Sequence, residues 1–334
     1  MRISTLFSPQ RLLAAIRRRI KPVPPTELEI LYAQDCRLMQ QHMGCLHGDY
    51  LEAMKADMIL HAHVLEKGMT MPDFRPGFGK EKIDRLCKLM QTYHSKGYDM
   101  NDFSIRFAAE ALREYINKHT QLSYPFSEQE LSSLNAAANL AGEKSTQQIH
   151  TTADAFFSAN HADFAQFSAS RHSVRQFSGP ADITNIQKAI ELAQNAPSAC
   201  NRQYMKVYLL SGKEKVNAIL SLQGGNSALM NAADQVLILT ADMRSLMWTG
   251  ERRDLWHNAG IYCMNLSYAL HYNRIGHCLC AWSVPPEVDA QLHELAEIPQ
   301  NEAITVLILI GQVAQSFTVT SSPRKNWQDV LVIR

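Results

Sequence analysis

The chain has 334 residues, 46% of them hydrophobic and 19% charged, with a formal net charge of +1. That is enough apolar material for a sizeable core and for more than one domain. It excludes a disordered polyelectrolyte and, with no zinc-finger or RNA-binding signature, gives no ground for a nucleic-acid partner.

The chain opens on a basic amphipathic segment, residues 9–21. Leu12, Leu13, Ile16 and Ile20 recur at helical spacing beside Arg11, Arg17, Arg18, Arg19 and Lys21. Such a segment can lie on an anionic membrane surface, dock on the protein as a helix, or fray in solution. The prolines Pro22, Pro24 and Pro25 end it. No apolar run approaches the ~20 residues that span a bilayer. Seven cysteines (Cys36, Cys45, Cys87, Cys200, Cys263, Cys278 and Cys280) follow no secretory signal. Their odd number and irregular spacing read as free thiols in a reducing compartment, so a cytoplasmic protein is expected. Cys278 and Cys280 would share one strand face, but no second Cys or His pair completes a zinc site, and no metal is expected.

Residues 26–166 read as helical nearly throughout. Leu28, Leu31, Tyr32 and Met39 form one apolar stripe, and Leu51, Met54, Met58 and Leu65 a second. Ile83, Leu86, Met90 and Tyr93 form a third, and Phe107, Ala111, Leu112 and Tyr115 a fourth. Stripes at this period predict core-facing helices. A Gly- and Pro-rich loop at 68–79 interrupts them, with His63, Glu66 and Lys67 on one helical face just before it. This cluster beside a flexible loop could act as a lid or wall of a site. It could equally be a solvated face next to a helix end capped by Gly68. Residues 145–168 read as a polar-faced helix or a connector, and the boundary between the two halves is placed at 166/167.

After 170 the pattern changes. A helix is expected over 184–195, with Thr184 and Gln187 spaced as a capping box and Ile186, Ile190 and Ala193 facing inward. Strands are expected at 206–210, 236–239, 278–282 and 304–310; the second and fourth are nearly continuous apolar runs, as in central strands. The segment 252–273 is apolar almost all round, which predicts a helix buried in the domain or against another subunit.

Two stretches carry chemistry. In the first, Ser170-Arg171-His172-Ser173-Val174-Arg175-Gln176-Phe177, guanidinium, imidazole and hydroxyl groups crowd together, a set suited to an anion. In the second, Asn195-Ala196-Pro197-Ser198-Ala199-Cys200-Asn201-Arg202-Gln203, small residues allow a ligand close to the backbone and amide side chains offer donors and acceptors. Alone, either is an ordinary loop. Together, in this order, they resemble the nitroreductase family, which pairs an Arg-(Arg/His)-Ser-x-(Arg/Lys)-x-Phe pattern with a later Ala-Pro-Ser-x-x-Asn-x-Gln. The long apolar helix ending near Gly276, the following strand, the helix begun at Pro285-Pro286-Glu287 and the basic Pro323-Arg324-Lys325 agree with it. Tyr204, where the family often has Pro, and Ala199 and Cys200 depart from it.

The resemblance implies an α+β protein: a nitroreductase-like mixed sheet flanked by helices over 167–334, preceded by a mostly helical region over 1–166. It implies a homodimer with FMN at the subunit interface and NAD(P)H as reductant for a small-molecule acceptor. By position, Arg171, His172 and Ser173 would hold the FMN phosphate and ribityl chain, and Arg324 would return to the phosphate. Arg175 would reach the flavin pyrimidine edge. Pro197, Ser198 and Asn201 would border the isoalloxazine ring, and backbone around Leu279, Cys280 and Ala281 would approach its other side. No side chain is expected as a catalytic acid or base, because the flavin carries the hydride. The alternative is a flavin-binding protein without turnover, whose helical half is a partner-binding module.

Overall fold

The computed structural model describes residues 24–42, 46, 50–142, 148–224 and 229–334. The basic segment 9–21 and the side chain of Met39 lie outside them. The chain divides into two compact units, Met1–Leu46 and His47–Arg334. The first contains helix α1 (Glu27–His42). Thr26 and Glu29 start it reciprocally: Thr26 N–H donates to Glu29 Oε2 at 2.7 Å, and Glu29 N–H to Thr26 Oγ1 at 3.3 Å. The expected apolar stripe is not a core face here, since Leu28 and Tyr32 are exposed.

The second unit begins with four helices: α2 (Leu51–Met69), α3 (Lys80–Ser95), α4 (Phe103–Gln121) and α5 (Glu128–Ala138). Their stripes meet in one core of Met58, Leu65, Leu86, Met90, Leu112 and Tyr115, at the spacing read from the sequence. Asp102 caps α4 by accepting from Ser104 N–H at 2.9 Å, and Ser127 with Glu130 forms a capping box on α5. Gly68 is not a cap, because α2 runs on to Met69. Its role is close packing: a Cβ there would stand 2.1 Å from the Phe78 ring.

The segment 145–168, expected as a helix or connector, contains strand β1 (Gln148–Thr152) and the short helices α6 (Ala153–Phe156) and α7 (Phe164–Ser170). β1 pairs antiparallel with β7 (Ser316–Thr320), the last strand of the chain. Its five residues, Gln-Ile-His-Thr-Thr, carry no apolar alternation, and the distant partner decides their conformation.

The main sheet has five strands: β2 (Phe177–Gly179), β3 (Met205–Ser211), β4 (Gln235–Asp242), β5 (Gly276–Ala281) and β6 (Glu302–Val313). β6 is its hub, bonded to β2, β4 and β5, and β3 adds to β4. Every described ladder is antiparallel, so the α+β class stands but the sheet is not mixed. Helices cover both faces. α8 (Ile183–Ala193) and α10 (Asp254–Tyr272) lie over Leu237, Leu239, Ile308 and Ile310. On the other face α9 (Lys213–Leu222) and α11 (Pro286–Leu295) lie over Val236, Ile238, Leu307 and Leu309. This double cover is why β4 and β6 read as unbroken apolar runs.

One detail differs from expectation. α8 is capped by Asp182, which accepts from Thr184 N–H at 2.7 Å, rather than by Thr184 itself. α10 is covered by the domain on one face only. Leu255, Ala259, Leu266 and Leu270 are buried, while Trp256 and Met264 are 56% and 39% exposed.

The helical part is bonded directly to the sheet-bearing part. The amide of Gln176 donates to Thr70 O at 3.0 Å, and Met71 joins the core beneath α9 and α11. Gly77 N–H donates to His119 Nε2 at 2.9 Å. The loop 68–79 is thus hydrogen-bonded to the sheet-bearing part on one side and to α4 on the other.

A candidate anion site

The segment 171–175 leaves α7 in extended form and is held at its centre by Val174 N–H, which donates to His277 O of β5 at 2.9 Å. One bond between main chains thereby sets four polar side chains beside β5. Arg175 is only 5% exposed. Its Nη1 reaches Ser173 O at a long 3.5 Å, and its Nε is buried with no partner. An orphaned guanidinium nitrogen in a folded interior is costly unless a ligand satisfies it.

The surroundings are cationic. Burial lowers the pKa of Arg171, and the neighbouring Arg324 lowers it further. Burial likewise lowers that of Lys67, reinforced by Arg175. His172 is held below the ordinary imidazole range by burial and by Arg171 and Arg324, against the opposing hydrogen bond its Nδ1–H donates to Thr320 O at 2.9 Å. The carboxylate facing His172 is Glu66, and both its oxygens are engaged, by His63 and by Ser322 N–H. Like charge thus faces like in two pairs, Lys67 with Arg175 and Arg171 with Arg324, both within reach of Cys278. A dianion with several acceptor oxygens would relieve both, and would favour the imidazolium form of His172.

Cys278 sits at the middle of this set. A hydrogen bond from Cys280 pulls its thiol pKa down, assisted by Arg175, Lys67 and Ser173, while burial opposes; Cys280 is pushed up in return. Both thiols are buried on the α9/α11 face, as their spacing implied. Leu279 and Ala281 alternate to the opposite face and are exposed, and Ala281 O accepts from the Gln223 amide at 2.8 Å.

The second stretch is held by other partners. Ala199 N–H donates to Asn258 Oδ1 at 2.7 Å, Gln203 N–H to Ser198 Oγ at 3.0 Å, and Arg202 makes a bidentate pair with Glu251. Cys200, Asn201 and Gln203 all have positive φ, at 50°, 56° and 49°. Three such residues within four positions are a concentration of backbone strain of the kind stored at functional sites. Pro197, Cys200 and Asn201 are exposed. Thus Arg171, His172, Ser173, Arg175 and Arg324 gather near β5, while the loop carrying Pro197, Ser198 and Asn201 is anchored to α10 and the turn before it. A separate cavity among the helices, lined by Gly77, Lys80, Tyr115, Tyr124 and Phe126, has no residue in common with either.

Sequence reading missed Cys278 and Ser322 as members of the cluster. Cys278 was legible only as a face-mate of Cys280, and Ser322 carries no motif at all. Lys67 and Glu66 were visible as a polar face, but nothing in the sequence showed what they face. Among the described residues, no group of three or more His, Cys, Asp or Glu side chains could hold a metal.

No family model matches the chain, and no curated protein does. Solved structures of nitroreductase-family proteins are similar to about half of it. One from Streptococcus pneumoniae is 21% identical over 52% of this chain and 100% of its own, with a TM-score of 0.45. A nitroreductase family protein from Clostridium novyi is 17% identical over 45% of this chain and 86% of its own, with a TM-score of 0.41. A structure described as an FMN-dependent nitroreductase, from Clostridium difficile, is 17% identical over 49% and 92%, with a TM-score of 0.39. The rest of the chain is unmatched in these structures.

Proposed function

We propose that the protein is an FMN-dependent oxidoreductase, acting in the cytoplasm as a homodimer, that takes reducing equivalents from NAD(P)H and passes them to a small-molecule acceptor. The observation that carries this reading is the cationic cradle with the orphaned Arg175 Nε at its floor. Its donor set suits an organic phosphate: guanidinium groups from Arg171 and Arg324, the His172 imidazole, and the Ser173 hydroxyl. Arg175, deeper and unpaired at Nε, would face the electron-poor ring system and favour negative charge there.

When bound, FMN supplies the hydride chemistry itself, so no side chain is assigned as acid or base. The chain's own contribution is to bind, orient and exclude water. The strained loop carrying Pro197, Ser198 and Asn201 is exposed, and its counterpart from a second copy would border the ring. The backbone of Leu279, Cys280 and Ala281 on the edge strand β5 would lie along the other side. The uncovered Trp256 and Met264 of α10 supply apolar surface of the kind that a second copy buries.

Anaerobic titration of the purified yellow protein with NADH and NADPH tests the reading. Bleaching of the flavin absorbance, restored by an added acceptor, is expected. A flavin that stays oxidised with both would leave a binding protein without turnover.

A further inference from the structure

Glu66 is fully buried, yet it belongs to α2 of the helical part. Its Oε2 accepts from His63 Nδ1–H at 3.0 Å, and its Oε1 from the backbone N–H of Ser322 at 2.8 Å. Ser322 follows β7 with a φ of 46°, a left-handed conformation that a non-glycine residue holds only when its surroundings enforce it. From this residue two connections run into the anion site. The carbonyl of Ser322 accepts from the Arg324 guanidinium. Its hydroxyl meets Thr320 Oγ1 at 2.9 Å, and Thr320 O receives the Nδ1–H of His172 at 2.9 Å. A buried carboxylate is a poor device for stability alone, since an apolar side chain of similar volume serves at least as well. Its value here is directional: it holds one backbone amide in one place. The next residue along α2, Lys67, lies within electrostatic reach of Arg175 and Cys278, so two successive residues of the helix bear on the site.

We propose that Glu66 is a positioning residue of the anion site, fixing the 320–324 turn so that Arg324 and His172 meet the same ligand as Arg171. The helical part thereby completes the site instead of only adjoining it. This rests on the reading of that ligand as the phosphate of FMN.

The test compares apoprotein of the wild type, Glu66→Ala and Glu66→Gln, titrated with FMN and with riboflavin, which lacks the phosphate, by quenching of flavin fluorescence. Glu66→Ala is expected to weaken FMN by about ten- to a hundred-fold and riboflavin by less than about threefold, as for a misplaced charged group. Glu66→Gln, whose amide oxygen still accepts from Ser322, is expected to stay within about threefold of the wild type for FMN. Should Glu66→Ala fail to fold, Glu66→Asp, one methylene short, carries the same expectation with a smaller loss. FMN affinity unchanged in the alanine variant, or both flavins weakened equally, overturns the positioning role and leaves the FMN reading standing. A wild type that binds no FMN overturns both.

Discussion

Acidification from about pH 7.5 to about pH 4.5 is expected to destabilise the unit His47–Arg334 sharply, because two of its histidines are built in as neutral rings. His277 is 1% exposed, with Nε2 2.7 Å from Ser267 Oγ and Nδ1 3.3 Å from Ile275 O. Burial takes its pKa from 6.5 to about 4, with Arg171 contributing. His271 lies among Phe156, Phe157 and Phe167. Its Nε2 is 2.9 Å from Ser170 Oγ, and its Nδ1 is buried without a partner. Burial, then His277 and Arg171, takes its pKa to about 3. Each folded value lies below the unfolded one. The unfolded chain therefore binds more protons in the interval, and the stability of the neutral ring is complete above about pH 6.5 and lost as pH falls. At about 1.4 kcal/mol per pH unit, each ring gives up about 3 kcal/mol by pH 4.5. That is a large share of the ~5–15 kcal/mol typical of a domain. Carboxylates held low by their partners act later. Asp242 is held down chiefly by Arg244. Glu302 is held down against its burial by Lys206, Thr240 and Tyr208. They contribute only as pH falls below their unfolded values of 3.8 and 4.5. Urea unfolding at several pH values measures the slope. His271→Leu should reduce it measurably, by deleting one of the lowered rings while His277, His172 and His119 remain. A wild-type stability that is flat down to about pH 5, or a slope unchanged by His271→Leu, would mean that these rings do not stay neutral in the folded protein.

Two further outcomes follow from packing. Gly68→Ala places a methyl group 2.1 Å from the Phe78 ring and should lower stability by about 1–3 kcal/mol despite alanine's better helix propensity, readable as a drop in Tm. The wild type should run as a dimer in light scattering at micromolar concentration, and Trp256→Glu, on the exposed face of α10, should shift it toward monomer; a monomeric wild type would contradict the homodimer.

Much of this fold was legible because periodicity reports burial directly. The stripes of α2, α3 and α4 are core faces, and the apolar runs of β4 and β6 are central strands. Where the reading failed, long-range partners decided. β1 is a strand because β7 pairs with it, and no pattern in Gln148–Thr152 announces that. α10 is apolar almost all round, and the sequence does not say which of its faces the sheet covers. The candidate site divided in the same way. Arg171, His172, Ser173 and Arg175 are contiguous and form a recognisable pattern. Arg324 was placed through resemblance. Lys67, Glu66 and Ser322 join them only through tertiary contact, and an amide such as that of Ser322 has no sequence signal.

Whether the cradle around Arg171 and Arg175 holds FMN is decided by the identity of the flavin released from the purified protein. Chromatography after denaturation is expected to give FMN in stoichiometric amount from the wild type and little from Arg171→Ala. Recovery of FAD, a colourless wild type that takes up no FMN on reconstitution, or full retention of FMN by Arg171→Ala would contradict the claim.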